Sequence, residues 1–237
     1  MARIDDVFVS GTFGNMVFYR RMGKACARIK RSHIKQTVAT KKRSINFGIA
    51  ARTGKILRAG LINAMPNPRD RSMQSRFSGA FAKWLGQSDV NILQPCEPVP
   101  YLTNFAFTKE DTFNERFKVQ FSVNFTSTGV EIRIAGFNPV RNISAPAGTV
   151  SVHLVIAVAG VKPAKGVAAG FASQTIEIPY SDTEIPPKIL SFAIPADPGT
   201  LIVTAARLVY LGVKNNQKPI LNKKEFDPAG VINAAYF

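Results

Sequence analysis

Apolar and polar residues alternate over long stretches after Tyr101, and this period of two constrains the fold more than any other feature of the sequence. Residues 116–126 alternate for eleven positions, which predicts a β-strand with one buried face. The apolar members of this run are Phe117, Val119, Phe121, Val123 and Phe125. A strand of this kind needs a second apolar layer to cover it, so the pattern predicts packed sheets.

Shorter alternating runs repeat along the rest of the chain. They predict strands at 130–134, 149–159, 173–178, 189–194, 201–213 and 231–237. Turns rich in Pro, Gly, Asn and Asp separate these strands, as in residues 195–199. Repeated strands without an intervening helical period are typical of antiparallel sandwiches. We therefore predict an antiparallel, immunoglobulin-like β-sandwich over residues 101–237.

The charge of the chain is divided as unevenly as its periodicity. Residues 1–88 contain 18 lysines and arginines but only three acidic residues, whereas residues 89–237 contain 13 basic and 12 acidic residues. This asymmetry predicts a bipartite chain. Three prolines in residues 91–100 suit an extended connector. The predicted organisation is a basic region over 1–90, a linker over 91–100 and the sandwich over 101–237.

The beginning of the basic region predicts a β-hairpin. Residues 16–20 and 24–29 flank Gly23, which can adopt a positive φ in the turn, and residues 11–15 before them indicate a loop. The second arm alternates, with Ala25, Ala27 and Ile29 on one face and Lys24, Cys26, Arg28 and Lys30 on the other. One face is therefore cationic. An isolated hairpin is only marginally stable in water, so we expect this one to need a partner.

Two helices follow the hairpin. Residues 44–65 show helical spacing that includes Gly48, Gly54 and Gly60; these glycines favour close helix packing, with a broken helix as the alternative. Residues 66–68 end this helix and begin a second one, in which Asn67 can cap and Pro68 can occupy the first turn. Its apolar face consists of Met73, Phe77, Phe81 and Leu85. The predicted fold class is α+β, mainly β, with an αα-hairpin before the sandwich.

A resemblance to a known family rests on short segments spread over most of the chain. These segments are residues 14–18 with Gly23 and Lys24, the helices around Phe47 and Phe77, residues 137–139 and 145–149, and residues 203–212 with 215–217. On them the chain resembles a family of short, two-part hypothetical proteins from Bacteroidota genomes. The resemblance implies a basic hairpin and helix region joined to a β-sandwich, and it brings no catalytic residues, because none is known for the family.

Residue types that support catalysis or metal binding are scarce. Cys26 and Cys96 are the only cysteines and His33 and His153 the only histidines, which excludes a disulfide-rich scaffold, a cysteine-based zinc cluster and a histidine triad within one chain. Residues 53–56 lack the hydroxyl and glycine spacing of a phosphate-binding loop. We predict a non-enzymatic protein without a cofactor or metal.

Two groups of residues leave an alternative open. Glu110, Asp111 and Glu115 could act as acid and base, but we interpret them as a solvated polar loop. Cys26 lies among cations that would raise the reactivity of a thiol, and we interpret it as a small packing residue of the hairpin rather than a reactive group.

The basic region predicts an anionic partner or an assembly contact. The candidate contact residues for nucleic acid or an acidic partner are Arg20, Arg21, Lys24, Arg28, Lys30, Arg31, Lys35, Lys41, Lys42 and Arg43. Phe18, Tyr19 and Phe47 interleave with these cations and could stack on bases, although Phe18 and Tyr19 fall on opposite faces of the hairpin.

Two functions fit these features. The first is a self-assembling structural subunit of a phage-like particle, shell or filament, a homo-oligomer whose basic region makes inter-subunit or nucleic-acid contacts. The alternative is a cytoplasmic nucleic-acid-binding protein of low sequence specificity.

Targeting features add little to this choice. No apolar run approaches the roughly 18–20 residues of a membrane span, and the first residues lack the pattern of a signal peptide. We therefore expect that the chain has no membrane span and that it is made in the cytoplasm. Its final location stays open, and a particle or filament is one option.

Overall fold

The structure is a computed structural model that describes residues 3–5, 8–30, 36–66, 72–87, 97–109, 111–126, 128–215, 217–223 and 226–237. Its contacts divide the chain into two units, Met1–Lys42 and Arg43–Phe237. This division differs from the boundary predicted at 91–100. Residues 91–96 of that linker lie outside the described residues, so the predicted domain limits stay a prediction.

A four-stranded antiparallel sheet forms most of the described part of the first unit. Its strands follow one another in space as in sequence: β1 (Arg3–Asp5), β2 (Phe8–Phe13), β3 (Met16–Arg21) and β4 (Lys24–Ile29). The hairpin of β3 and β4 confirms the sequence prediction. Its turn residues Met22 and Gly23 have φ values of 50° and 78°, as a tight two-residue hairpin turn requires. Most of the loop predicted over 11–15 is instead the end of β2.

The first helix, α1 (Val38–Gly60), is unbroken and begins six residues before the predicted start at Ser44. Thr37 explains the early start, because its Oγ1 accepts a hydrogen bond from the backbone N–H of Thr40 at 3.2 Å, as an N-cap residue does. A short 3-10 turn, Ile62–Ala64, follows, and the second helix is α2 (Met73–Gln87). The cap predicted at Asn67 and Pro68 lies outside the described residues.

The glycines of α1 confirm the prediction of close packing where the helix meets its neighbours. A Cβ on Gly54 would lie 3.5 Å from Ser78 Oγ and 3.9 Å from the Phe77 ring, both on α2. A Cβ on Gly60 would overlap the ring of Phe171. Gly48 is exposed and has no atom within 4 Å of its Cβ position, so its packing role is not confirmed.

Antiparallel strands and two short helices complete the second unit. In chain order they are β5 (Glu97–Pro98), α3 (Phe113–Arg116), β6 (Phe121–Thr126), β7 (Gly129–Ile134), α4 (Pro139–Asn142), β8 (Ser151–Lys162), β9 (Val167–Pro179), β10 (Lys188–Phe192), β11 (Leu201–Leu211) and β12 (Ala229–Tyr236). They form a five-stranded sheet in the order β5-β12-β11-β8-β9 and a three-stranded sheet in the order β10-β7-β6.

The five-stranded sheet is the middle of three layers. On one face its side chains share a core with the helices, including Leu57 of α1 and Phe77 and Phe81 of α2. On the other face they share a second core with the three-stranded sheet, as Ile132 of β7 does. This placement explains why β8 is apolar almost throughout: ten of its twelve residues are buried.

The fold class is α+β with mostly strands, as the sequence predicts, but two details differ. Residues 117–120 do not belong to a strand, and α3 precedes them. The rings of Phe113 and Phe117 stack with centroids 5.5 Å apart, and Phe117 pairs with Ile143 in an isolated antiparallel bridge rather than as part of β6. The immunoglobulin-like arrangement is not confirmed by the observed strand order.

The glycines of α1 provide a test of this packing. We expect Gly48→Ala to raise the free energy of unfolding by about 0.5–1 kcal/mol, since alanine is the better helix former and meets no neighbour. Gly60→Ala should lower the free energy of unfolding, because the new methyl group would overlap the Phe171 ring and displace it from the end of the helix. Urea unfolding followed by the fluorescence of Trp84, the only tryptophan, measures both. Equal shifts for the two variants would contradict the packing described.

Candidate interaction surface

The register of the amino-terminal sheet separates its side chains into two faces of different chemistry. Directly paired residues of antiparallel strands share a face, and the pairs Gly11–Phe18 and Phe18–Ala27 define one face. The pairs Tyr19–Cys26 and Arg21–Lys24 define the opposite face. We call the first the apolar face and the second the cationic face.

The apolar face carries large side chains that remain in solvent. Its members on β2, β3 and β4 are Val9, Phe13, Met16, Phe18, Ala25, Ala27 and Ile29, together with Arg20. Phe13 is 75% exposed and Ile29 is 70% exposed. No side chain described in residues 9–30 is buried. This sheet therefore lacks a core of its own within the described residues.

The cationic face presents polar and charged groups. Its members are Ser10, Thr12, Val17, Tyr19, Arg21, Lys24, Cys26 and Arg28, and Lys30 continues the alternation beyond β4. The Arg28 guanidinium lies 5.9 Å from the centroid of the Tyr19 ring, within the range of a cation–π contact. The half-buried Cys26 Sγ donates a long hydrogen bond to the Lys24 carbonyl at 3.7 Å.

The candidate cations of the sequence fall into three groups. Arg21, Lys24, Arg28 and Lys30 lie together on the cationic side of the sheet, whereas Arg20 lies on the apolar face. Arg31 and Lys35 lie outside the described residues. Lys41, Lys42 and Arg43 are exposed in the first turns of α1.

The first half of α1 is also exposed. No residue of the helix before Ala50 is buried, and Val38, Ile45 and Phe47 are 86%, 64% and 60% exposed. One hydrogen bond holds this half to α2, from Asn46 Nδ2 to the Leu85 carbonyl at 3.1 Å. Residues 38–43, which precede the predicted helix start at Ser44, are thus also helical.

The amino-terminal cations have no carboxylate near them in sequence. No aspartate or glutamate occurs between Asp6 and Asp70, a stretch with fourteen lysines and arginines. The positive charge of this stretch can therefore be neutralised only by carboxylates from elsewhere or by an anionic partner.

A buried polar network in the second unit is the strongest alternative to this surface. Arg207 donates two hydrogen bonds to Asp227, from Nε to Oδ1 and from Nη2 to Oδ2, both 2.8 Å long, and a third from Nη1 to the Met65 carbonyl at 3.0 Å. Asn222 Nδ2 donates to Asp227 Oδ1 at 2.9 Å. Because every one of these contacts satisfies a group within the fold, the network ties the chain around residue 227 to β11.

Asp111 lies near this network and corrects one sequence interpretation. The carboxylate is 1% exposed and accepts a hydrogen bond from Arg116 Nε, so it is not part of a solvated loop. Burial raises the pKa of Asp111, while the hydrogen bond from Arg116 opposes that rise. Burial likewise raises the pKa of the Tyr210 hydroxyl, which donates to the Ser144 carbonyl at 3.0 Å. Glu115 is exposed on α3, and Glu110 lies outside the described residues.

Other titratable groups do not converge on a site. His153 Nε2 lies 3.9 Å from Glu177 Oε2, and Glu177 is also bound by Lys218 Nζ at 2.7 Å. Within the part of the chain that the structure describes, no group of three or more His, Cys, Asp or Glu residues could hold a metal ion. No helix in the same part is long and apolar enough to cross a membrane.

Comparisons with protein-family models, curated proteins and solved structures found no match to this chain. The resemblance to the Bacteroidota family therefore stays a prediction. The two faces of the amino-terminal sheet are the features of the described residues that point most directly to a partner.

The buried network provides a stability test. We expect Asp227→Ala to lower the free energy of unfolding by about 3–5 kcal/mol, because it leaves the Arg207 charge buried without its partner. Asp197→Ala is the matched control: Asp197 is exposed and binds Lys162 Nζ at 3.1 Å, a pair worth about 0–1 kcal/mol. Urea unfolding measures both variants, and a similar cost for the two would show that the network does not hold the fold.

Proposed function

We propose that this protein is a non-enzymatic, self-assembling structural subunit, in which the apolar face of the amino-terminal sheet packs against the same face of a second copy. The assembly would be a particle, shell or filament formed from protein made in the cytoplasm. The second unit, with its own two cores, would form the body of each subunit.

The observation that carries this proposal is the exposure of Phe13 and Ile29 on a sheet that has no buried residue among the described positions 9–30. Burying a side chain of this size stabilises by about 1.5–3 kcal/mol. A small sheet is stable when its apolar face packs against another layer, and the described residues of the first unit supply no such layer.

A second copy is the occupant that matches this face. An apolar face with a single cation, Arg20, is complementary to itself when two copies are related by a two-fold axis. Contact through the cationic faces would instead bring Arg21, Lys24 and Arg28 of both copies together, which like-charge repulsion opposes.

The size of the face sets the strength of the contact. The six-residue strands β2, β3 and β4, about 4.8 Å apart and about 20 Å long, present about 300 Å² per copy. Stable interfaces bury about 800 Å² per partner. One contact of this kind should therefore be weak and concentration-dependent, and a lasting assembly would need several contacts per subunit.

The second candidate function is low-specificity nucleic-acid binding by a cytoplasmic protein. The observation that favours it is the grouping of Arg21, Lys24 and Arg28 on one face. Because this face is opposite the apolar face, nucleic-acid binding and self-association do not compete for the same side chains.

Self-association is tested by light scattering or sedimentation equilibrium from about 10 to about 200 µM. We expect the average mass of the wild type to rise above the monomer mass of 25.8 kDa as concentration increases. Phe13→Thr with Ile29→Thr removes two apolar side chains while keeping residues that favour strands, so this double variant should remain monomeric.

The matched control is Val213→Thr with Ile220→Thr, which changes two other exposed apolar side chains, 62% and 63% exposed, in the second unit. The control should associate as the wild type does. A wild type that stays monomeric at the highest concentration, or a Phe13/Ile29 variant that associates as strongly as the control, would refute the proposal.

A further inference from the structure

We propose that the cationic face of the amino-terminal sheet binds single-stranded nucleic acid, with phosphates on Arg21, Lys24 and Arg28 and a base stacked on Tyr19. The inference deepens the proposed function and rests on it in one respect: pairing through the apolar face would leave the cationic face of each copy directed outward.

The sheet register brings the four side chains together. Arg21 and Lys24 are directly paired across the hairpin, and Tyr19 is the next residue of β3 on the same face. Arg28 lies diagonally from Tyr19, with its guanidinium 5.9 Å from the ring centroid. A ring that is 37% exposed and bordered by cations provides a stacking surface beside phosphate-binding groups.

Countercharge is the second argument. Residues 1–42 contain ten basic and two acidic residues, so association through the apolar face brings together units with a formal charge of +8 each. No carboxylate occurs from residue 7 to residue 69 to reduce this repulsion. A polyanion on the outward faces would neutralise the charge and release counterions.

The separation of the two faces favours nucleic acid over a lipid surface. A peripheral protein that binds an anionic bilayer inserts apolar side chains on the side where its cations meet the headgroups. In this sheet Phe13 and Ile29 point away from Arg21 and Arg28, so a bilayer could not use both sets at once. A strand of nucleic acid needs only the cations and an aromatic ring.

Fluorescence anisotropy with a labelled oligothymidylate of about 16 nucleotides tests the inference. We expect binding at about 50 mM salt that weakens steeply toward about 200 mM salt. Absence of binding at the lower salt concentration overturns the inference. The inference is also overturned if polyglutamate binds and the oligonucleotide does not, because the face would then recognise acidic protein.

A pair of triple variants locates the binding face. The test variant is Arg21→Gln with Lys24→Gln and Arg28→Gln. The control is Lys55→Gln with Lys165→Gln and Lys188→Gln, which removes the same charge from three exposed lysines of the second unit. Losing three phosphate contacts should make the slope of log K against log salt shallower by about 2. The control should keep the wild-type slope, and equal slopes for the two variants would overturn the inference.

Substitutions of Tyr19 test base stacking. Tyr19→Phe keeps an aromatic ring and should keep the affinity, whereas Tyr19→Leu should weaken oligothymidylate binding at least about fivefold. Binding of a duplex of the same length should not respond to Tyr19→Leu, because paired bases cannot stack on the ring. The same loss for duplex and single strand, or no loss for either, would contradict the inference.

The two proposals fail in different ways. The Phe13/Ile29 double variant should remain monomeric and still bind the oligonucleotide with the wild-type slope. Added salt should strengthen self-association, because it screens the repulsion between copies. The same salt should weaken nucleic-acid binding. A wild type that does not associate but binds oligonucleotide through Arg21, Lys24 and Arg28 refutes the proposed function and leaves this inference standing.

Discussion

The fold of the second unit depends on one constraint: the central strands of its five-stranded sheet are buried on both faces. Ten of the twelve residues of β8 are buried, and β11 is similarly enclosed. Helices α1 and α2 cover one face, and the three-stranded sheet covers the other. A sheet in this position cannot expose a polar face, which is why its central strands are apolar almost without interruption. The second unit thus buries both faces of these central strands within itself.

The amino-terminal sheet has the opposite property. Its strands alternate between an apolar and a cationic side, yet none of its described side chains is buried. The burial that stabilises β8 and β11 is missing from β3 and β4, although both pairs of strands have complete antiparallel registers. Backbone pairing alone does not stabilise a small sheet in water. The difference between the units is therefore a difference in the burial of their sheets, and the proposed self-association rests on it.

The sequence predicts those elements whose partners lie close by in the chain. Alternation places the strand 130–134 and the hairpin around Gly23 correctly because a strand or a two-residue turn is a local property. Asp111 looks solvated because its neighbours in sequence are polar, whereas its burial depends on groups that only the fold brings near. The sequence does not predict β2, because Gly11 and Gly14 are typical of a loop. Without β2, the apolar face cannot be recognised as a continuous surface.

The distribution of charge follows from the same physics. A cation can be buried only with a partner, as Arg207 shows with Asp227, since removing charge from water is costly. The segment from residue 7 to residue 69 contains no carboxylate, and the described cations of β3, β4 and the first turns of α1 are exposed. A strand rich in such cations can turn only one of its sides toward an apolar layer. The period of two in β3 and β4 therefore builds a two-sided sheet in the first unit, and we propose that its two sides contact two chemically different partners.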